Sequence, residues 1–162
     1  MNSIEEKVVQ LLKNNGLTIS CAESCTGGLL SGTLVNVSGV SNVLAEAYVT
    51  YANDSKERIL GVAHKTLEEH GPVSEETAAE MAKGVCNVSS ADVGLSTTGI
   101  AGPEGGTKEK PVGLVYIGYH HKDKTTVKKL NLSGDRQTIR NQAVKNVLEL
   151  CYTCMKEEGL CE

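Results

Sequence analysis

Apolar positions at Ile4, Val8, Leu11 and Leu12 recur at helical spacing behind Ser3-Ile4-Glu5-Glu6, a capping box of the S-x-x-E form. The pattern predicts a first helix to about Asn14, ended by Gly16. The apolar run Leu17 to Cys21 predicts a short strand, Ala22 to Thr26 a sharp connection, and Gly27 to Val37 a helix broken near Ser38-Gly39. From Asn42 to Tyr51 the pattern is mixed, helical in its first half and strand-like over Ala47 to Tyr51. Asp54-Ser55-Lys56-Glu57 opens a short helix to about Leu60, and Thr66-Leu67-Glu68-Glu69 another that Gly71-Pro72 closes. Ser74 caps a helix with Ala78, Met81, Ala82 and Val85 on one stripe. Strands follow at Asp92–Thr98, Pro111–His121 and Thr125–Leu132, the last two as a hairpin. Gly99 to Lys110 reads as a glycine-rich loop. Asp135 caps a last helix with an apolar stripe of Ile139, Ala143, Val147, Leu148 and Cys151.

Helices interleaved with strands predict a layered α/β domain, and the hairpin predicts a mixed sheet. With no repeat, linker or low-complexity tract, the expectation is one domain over residues 1–162. The chain has no Trp or Phe, so Leu, Val, Ile and Ala must build its core. A net charge of −4 and the lack of a basic stripe argue against nucleic-acid partners. His120-His121-Lys122-Asp123-Lys124, with Lys128-Lys129, reads as a solvated hairpin end and the strand leaving it. No signal-peptide core is present and the apolar runs are too short to span a bilayer, so the expected location is cytoplasmic, without membrane contact. Six cysteines without an export signal do not predict a disulfide scaffold. Cys21, Cys25 and Cys86 read as small core fillers. Cys151 and Cys154 have metal-ligand spacing but stand alone.

Candidate chemistry falls in four polar segments at element ends: Ala22–Gly28, Thr50–Lys56, Gly99–Thr107 and Ser133–Arg140. Three directly follow predicted strands, where α/β sites gather. In the first, backbone N–H groups of Thr26, Gly27 and Gly28 at a helix start can face an anion or a developing oxyanion. Ser24 or Cys25 stands just before those donors as a nucleophile; the plainer alternative is that Ser24 or Thr26 only caps the helix. Gly99 to Gly106 is neither a Walker A loop nor a dinucleotide fingerprint, and reads as a phosphate nest or a surface loop. Arg136 and Arg140 suit bidentate phosphate or carboxylate contacts, or are ordinary surface arginines. No Ser-His-Asp arrangement or H-E-x-x-H signature is apparent, and His64 and His70 lie on a polar helix. The residues alone leave the reaction undefined.

Taken together, A-E-S-C-T-G-G at 22–28, V-T-Y-A-N-D-S-K at 49–56, G-P-V-S-E-E at 71–76, T-G-I-A-G-P-E-G-G at 98–106, K-P-V-G at 110–113 and S-G-D-R at 133–136 resemble the CinA C-terminal domain family. This is the competence/damage-inducible domain, also known as nicotinamide-nucleotide amidase. The resemblance covers nearly the whole chain. It implies a three-layer α/β/α sandwich, a homodimer, no metal or cofactor, and the stand-alone form without the N-terminal domain of larger CinA proteins. It also implies hydrolysis of the carboxamide of nicotinamide mononucleotide to nicotinate mononucleotide and ammonia, in pyridine nucleotide salvage. Carried over by motif, Ser24 is the nucleophile that forms an acyl-enzyme, Tyr51 its proton-transfer partner and Arg136 a further catalytic residue. Lys56 is the rival base. Thr26, Gly27, Gly28, Asn53, Lys56, Gly99, Ala101, Gly102 and Arg140 are the expected substrate-binding set. Ala52 and Asp54 depart from the family pattern without removing a reactive group. Two rivals stand beside this reading. One is a catalytically silent, nucleotide-binding or regulatory member of the same fold. The other is a thiol or metal protein built on Cys25 or on Cys151 and Cys154.

Overall fold

The structure is a computed structural model that describes residues 1–161. Residue 162, the expected end of the domain, lies outside the described residues. Helix α1, Ile4–Asn14, starts at the predicted capping box. Ser3 Oγ accepts from the Glu6 N–H at 3.4 Å, and Glu6 Oε2 accepts from the Ser3 N–H at 2.7 Å. Ser3→Ala is expected to lower stability by about 1 kcal/mol in urea unfolding, the usual effect of losing a cap.

The strands are β1 (Ile19–Glu23), β2 (Leu44–Val49), β3 (Val93–Gly99), β4 (Leu114–His121) and β5 (Lys124–Asn131). They form one mixed sheet in the order β2-β1-β3-β4-β5. β1 runs parallel to β2 and β3, while β4 and β5 are antiparallel. The remaining helices are α2 (Leu29–Val35), α3 (Asn53–Leu60), α4 (His64–His70), α5 (Glu75–Ser89) and α6 (Arg136–Glu157). α1, α2 and α6 pack together on one face of the sheet, and α5 covers the other, with α3 and α4 against it. This is the expected single α/β domain with a three-layer arrangement.

Side chains alternate across a strand, and β1 shows the consequence. Ile19 and Cys21 join the large cluster under α1, α2 and α6, while Ala22 joins a smaller one with Leu60, Val62, Leu67, Met81 and Val85. Glu23, two residues beyond Cys21, faces the same layer as α2. All five β1 residues are buried. The stripes expected on α5 and α6 are likewise buried.

Several boundaries differ from the pattern reading. β1 runs on to Glu23 and α2 begins only at Leu29, because Gly27 (φ 56°) and Gly28 (φ 99°) are left-handed and cannot belong to a right-handed helix. Of the half expected to be helical only Asn42 is in a helical turn, the 3-10 turn Val40–Asn42, and β2 begins at Leu44. Thr66 is inside α4 rather than at its start, and its hydroxyl donates to Glu80 Oε1 at 2.5 Å. His120 and His121 are buried, not solvated. Their Nδ1 atoms pair with Thr125 Oγ1 at 2.7 Å and Glu158 Oε2 at 2.6 Å, so hairpin and α6 partners satisfy them. Among the described residues no helix is long and apolar enough to cross a membrane.

Candidate functional site

Because β2, β1 and β3 are parallel neighbours, their carboxyl ends lie side by side. The start of α6 comes over that edge, so the four polar segments converge. The Ser24 N–H donates to the Thr97 carbonyl at 3.0 Å, and the Thr50 N–H to the Glu23 carbonyl at 2.9 Å. Arg140 donates through Nε to the Cys25 carbonyl at 3.1 Å and through Nη2 to the Thr26 carbonyl at 2.8 Å. Arg136 donates through Nη1 to the Gly102 carbonyl at 2.8 Å and through Nη2 to Tyr51 Oη at 3.3 Å.

The centre of the corner is a residue to which the sequence reading assigned no role. Glu23 is fully buried. Its Oε1 accepts from Thr26 Oγ1 at 2.6 Å, from the Gly28 N–H at 3.2 Å and from the Leu30 N–H at 2.8 Å. Its Oε2 accepts from the Ser31 N–H at 3.0 Å and Ser31 Oγ at 2.8 Å. The positive end of α2 is thus filled by the protein's own carboxylate. Thr26 has one hydroxyl proton and gives it to Glu23, so Thr97 Oγ1, 2.7 Å away, donates to Thr26. The available signal was a carboxylate closing an otherwise apolar strand just before two glycines.

Lys56 is 1% exposed. Its ammonium donates to the Thr50 carbonyl at 2.7 Å, the Tyr51 carbonyl at 3.1 Å and Ser24 Oγ at 3.1 Å. Burial lowers its pKa to about 8, which leaves it protonated at neutral pH. An ammonium has three protons and no lone pair, and all three protons are engaged. At neutral pH the prevailing ammonium form of Lys56 donates to Ser24 Oγ. Tyr51 is 60% exposed; its hydroxyl meets Arg136, and its contact with the Ser24 region runs through its carbonyl and Lys56.

A hollow of about 200 Å³ opens beside this corner, lined by Cys25, Tyr51, Arg136 and the loop residues Gly99, Ile100, Ala101, Gly102, Glu104 and Gly105. Ser24, Thr26, Gly27, Gly28, Asn53, Lys56 and Arg140 are not part of its lining. Asn53 is exposed at the start of α3. Cys25, expected to turn away, lines the hollow, yet burial pushes its thiol up to about 12, so it is not a thiolate at neutral pH. Cys151 and Cys154 are buried in the core, where burial raises both thiols.

The CinA C-terminal domain family model matches residues 1–155. A CinA-like protein of Kosmotoga olearia is 57% identical over 147 residues, covering 91% of this chain. The chain spans only 36% of that relative's length. Among solved structures, a competence/damage-inducible protein from Agrobacterium tumefaciens superposes with a TM-score of 0.90 at 39% identity, over 94% of this chain and 96% of that one. A CinA superfamily protein from Escherichia coli gives 0.89 at 34% identity, over 93% and 88%.

These findings correct the hydrolytic expectation. Of the three N–H groups expected to face an oxyanion, that of Gly28 donates to Glu23 and that of Gly27 to the Ser24 carbonyl, while Lys56 donates to Ser24 Oγ and Tyr51 Oη meets Arg136. No histidine bonds to Ser24, so no Ser-His-Asp triad is assembled; His120 and His121 lie at the opposite end of β3, paired with Gly94 and Val93. Among the described residues no group of three or more His, Cys, Asp and Glu side chains could hold a metal. The domain is not read as a nicotinamide-nucleotide amidase, and its salvage role is withdrawn with it. The expected partners are corrected too. The hollow beside the corner holds about 200 Å³, below the roughly 300–1,000 Å³ of common ligand pockets, and no nucleotide site is evident in it. The expected homodimer finds no support either, as no interface between copies is described; the exposed large apolar side chains among the described residues are Met1, Val35, Val49, Tyr51, Val88 and Val112. What the matches over nearly the whole length do establish is that the chain belongs to the CinA C-terminal domain family.

Proposed function

We propose that this domain is a catalytically silent, regulatory binding module that receives a small oxyanion beside Arg136. The observation that carries the reading is Glu23 in the donors of α2. A corner neutralised by its own carboxylate is a fixed scaffold rather than an oxyanion site. Arg136 then supplies the cation that faces the hollow, and Gly99, Ala101 and Gly102 bring main chain to its wall. Ser24, Thr26, Gly27, Gly28, Asn53, Lys56 and Arg140 act as the frame that holds Tyr51 and Arg136 in place. The unit extends over residues 1–162 and works in the cytoplasm; its free cysteines, Cys21 and Cys151 fully buried among them, support a reducing compartment.

Calorimetric titration of the wild type and Arg136→Ala with inorganic phosphate and with acetate tests this. The wild type is expected to bind one of them, and the variant at least about tenfold more weakly, since charge-assisted hydrogen bonds to a guanidinium are the strong ones. Equal binding by the two proteins overturns the site. Release of ammonia from a carboxamide-bearing nucleotide overturns the silent reading.

A further inference from the structure

Helix α4 is short and lightly held. Leu67 is its one buried residue, packed in the smaller cluster with Ala22, Leu60, Val62, Met81 and Val85. Left-handed glycines flank the segment, Gly61 (φ 70°) ahead of it and Gly71 (φ 77°) directly after His70. Glu80 of α5 holds the front of α4, accepting from the Ala63 N–H at 2.8 Å and the Thr66 hydroxyl at 2.5 Å.

The remaining fastening is His64. Its Nδ1 lies 2.8 Å from Glu57 Oε1 on α3, and its Nε2 lies 3.2 Å from Glu68 Oε1 on α4 itself. A neutral imidazole has one N–H and the imidazolium has two. The protonated ring alone can present an N–H to both carboxylates at once. Without the proton, one carboxylate faces a ring lone pair, and no cation stands between the two acids. The other charges around α4 do not replace it. Arg58 on α3 pairs with Asp54, and Lys65 on α4 with Glu69. Lys110 Nζ is turned to the His70 carbonyl at the far end of the helix. From α5, Glu76 lies against His70 and Glu80 against the α4 front, both acidic, while Lys83 stands beside His120.

We propose that α4 is a proton-operated flap: the bridge from His64 to Glu57 and Glu68 holds it down on α3, and loss of the ring proton loosens it and bares Leu67. This stands apart from the anion site beside Arg136 and gives the domain a second signal, a change of surface set by pH. The hydrogen bond to Glu57 first, and the charges of Glu57 and Glu68 after it, raise the pKa of His64 above its ordinary 6.5. A folded-state pKa above the unfolded one gives stabilisation that is complete below about pH 6.5 and fades as pH rises through the folded value. The flap is therefore closed in mild acid and looser above neutrality. Glu80 and Leu67 hold it at either pH and the ring is exposed, so the proton shifts a population rather than freeing the helix outright.

Amide exchange by NMR on the full chain reads the flap. The Leu67 and Gly71 N–H groups donate to the Ala63 and Leu67 carbonyls. Their protection factors, with the intrinsic rate at each pH divided out, report α4, and amides of α6 report global stability. From about pH 6 to about pH 8, protection of both is expected to fall about threefold relative to α6, the scale of an exposed ion pair. His64→Gln has no ring proton to lose and is expected to show the low protection throughout. His64→Arg keeps a charged fork and is expected to show the high protection throughout. The ring nitrogens of His70 lie 3.9 Å from Glu69 and 3.7 Å from Glu76, beyond hydrogen-bond reach, so His70→Gln is expected to respond as the wild type does. Wild-type protection that does not change with pH, or an equal fall in His64→Gln, overturns the flap. Loss of the response in His70→Gln overturns its assignment to His64.

Discussion

Glu23→Ala is expected to be the most damaging single substitution in this domain. The buried carboxylate accepts from three backbone N–H groups and two hydroxyls. Alanine leaves the Gly28, Leu30 and Ser31 donors without that partner, Leu30 in a fully buried position and the other two half-buried. Disrupting a buried charged network from one side costs roughly 3–5 kcal/mol. For a chain of this size each kcal/mol lowers Tm by about 2–4 °C, so a fall of roughly 6–20 °C is expected in calorimetry. Glu23→Gln keeps the shape and one oxygen but turns an amide N–H toward a donor, and is expected to cost about half as much. Hydrogen exchange localises the effect: the amides of Leu30 and Ser31 lose protection first. A Tm for Glu23→Ala within about 2 °C of the wild type, less than the shift of a single kcal/mol, would show that the corner is not held together this way.

Lys56→Met is the second large effect, and pH is its signature. Methionine fills the volume of the lysine stem but leaves Ser24 Oγ and the carbonyls of Thr50 and Tyr51 without their donor. Each unpaired buried group costs about 1–3 kcal/mol. The variant simultaneously avoids burying an ammonium, so a net loss of about 2–3 kcal/mol is expected at pH 7. The folded pKa of Lys56 is about 8, lowered first by burial from 10.5. Between those two values the unfolded chain binds more protons than the folded one, so this group's contribution to stability increases as pH rises through the window. The wild type therefore gains on the variant between about pH 8 and 10, by about 3 kcal/mol at about 1.4 kcal/mol per pKa unit. The raised thiols act with the opposite sign above about pH 9, where unfolded chains form thiolate first. They are present in both proteins and cancel in the difference, except for Cys25, whose raised thiol the Lys56 charge partly lowers. Urea unfolding of the pair at pH 7 and 9.5 measures it. A difference that does not change with pH would mean that Lys56 is not a buried ammonium in the folded protein.

Both substitutions act on residues whose importance was unevenly visible in the chain. Lys56 stands in a polar segment after a predicted strand, and its place near Ser24 was anticipated by motif. Its bonds to two main-chain carbonyls were not, since they depend on how the Thr50–Ala52 connection turns back over α3. Glu23 was read as one polar residue among several. Recognising its role requires knowing that β1 continues two residues past the apolar run, that Glu23 then faces the α2 layer, and that Gly27 and Gly28 delay the helix to Leu29. Three small shifts of boundary move the donors at the helix start to Gly28, Leu30 and Ser31, and Glu23 fills them. His120 and His121 make the same point at the other end of the sheet: beside Lys122 they read as solvent-facing, and only Thr125 and Glu158 explain their burial.

The sequence by itself determined the features that neighbours along the chain decide. The capping box at Ser3, the caps at Ser74 and Asp135, the apolar stripes of α5 and α6 and the β4–β5 hairpin are local, and each is set by groups a few residues apart. The gathering of the four polar segments was also legible, because parallel strands carry their following loops to one edge. What only the tertiary structure decided is which hydrogen-bonding groups at that edge are still available. A backbone N–H, an ammonium or a guanidinium looks equally free in any sequence. Whether it faces solvent, a ligand or a carboxylate such as Glu23 is fixed by contacts between segments brought together from across the fold, whose angstrom-scale placement local propensity does not encode.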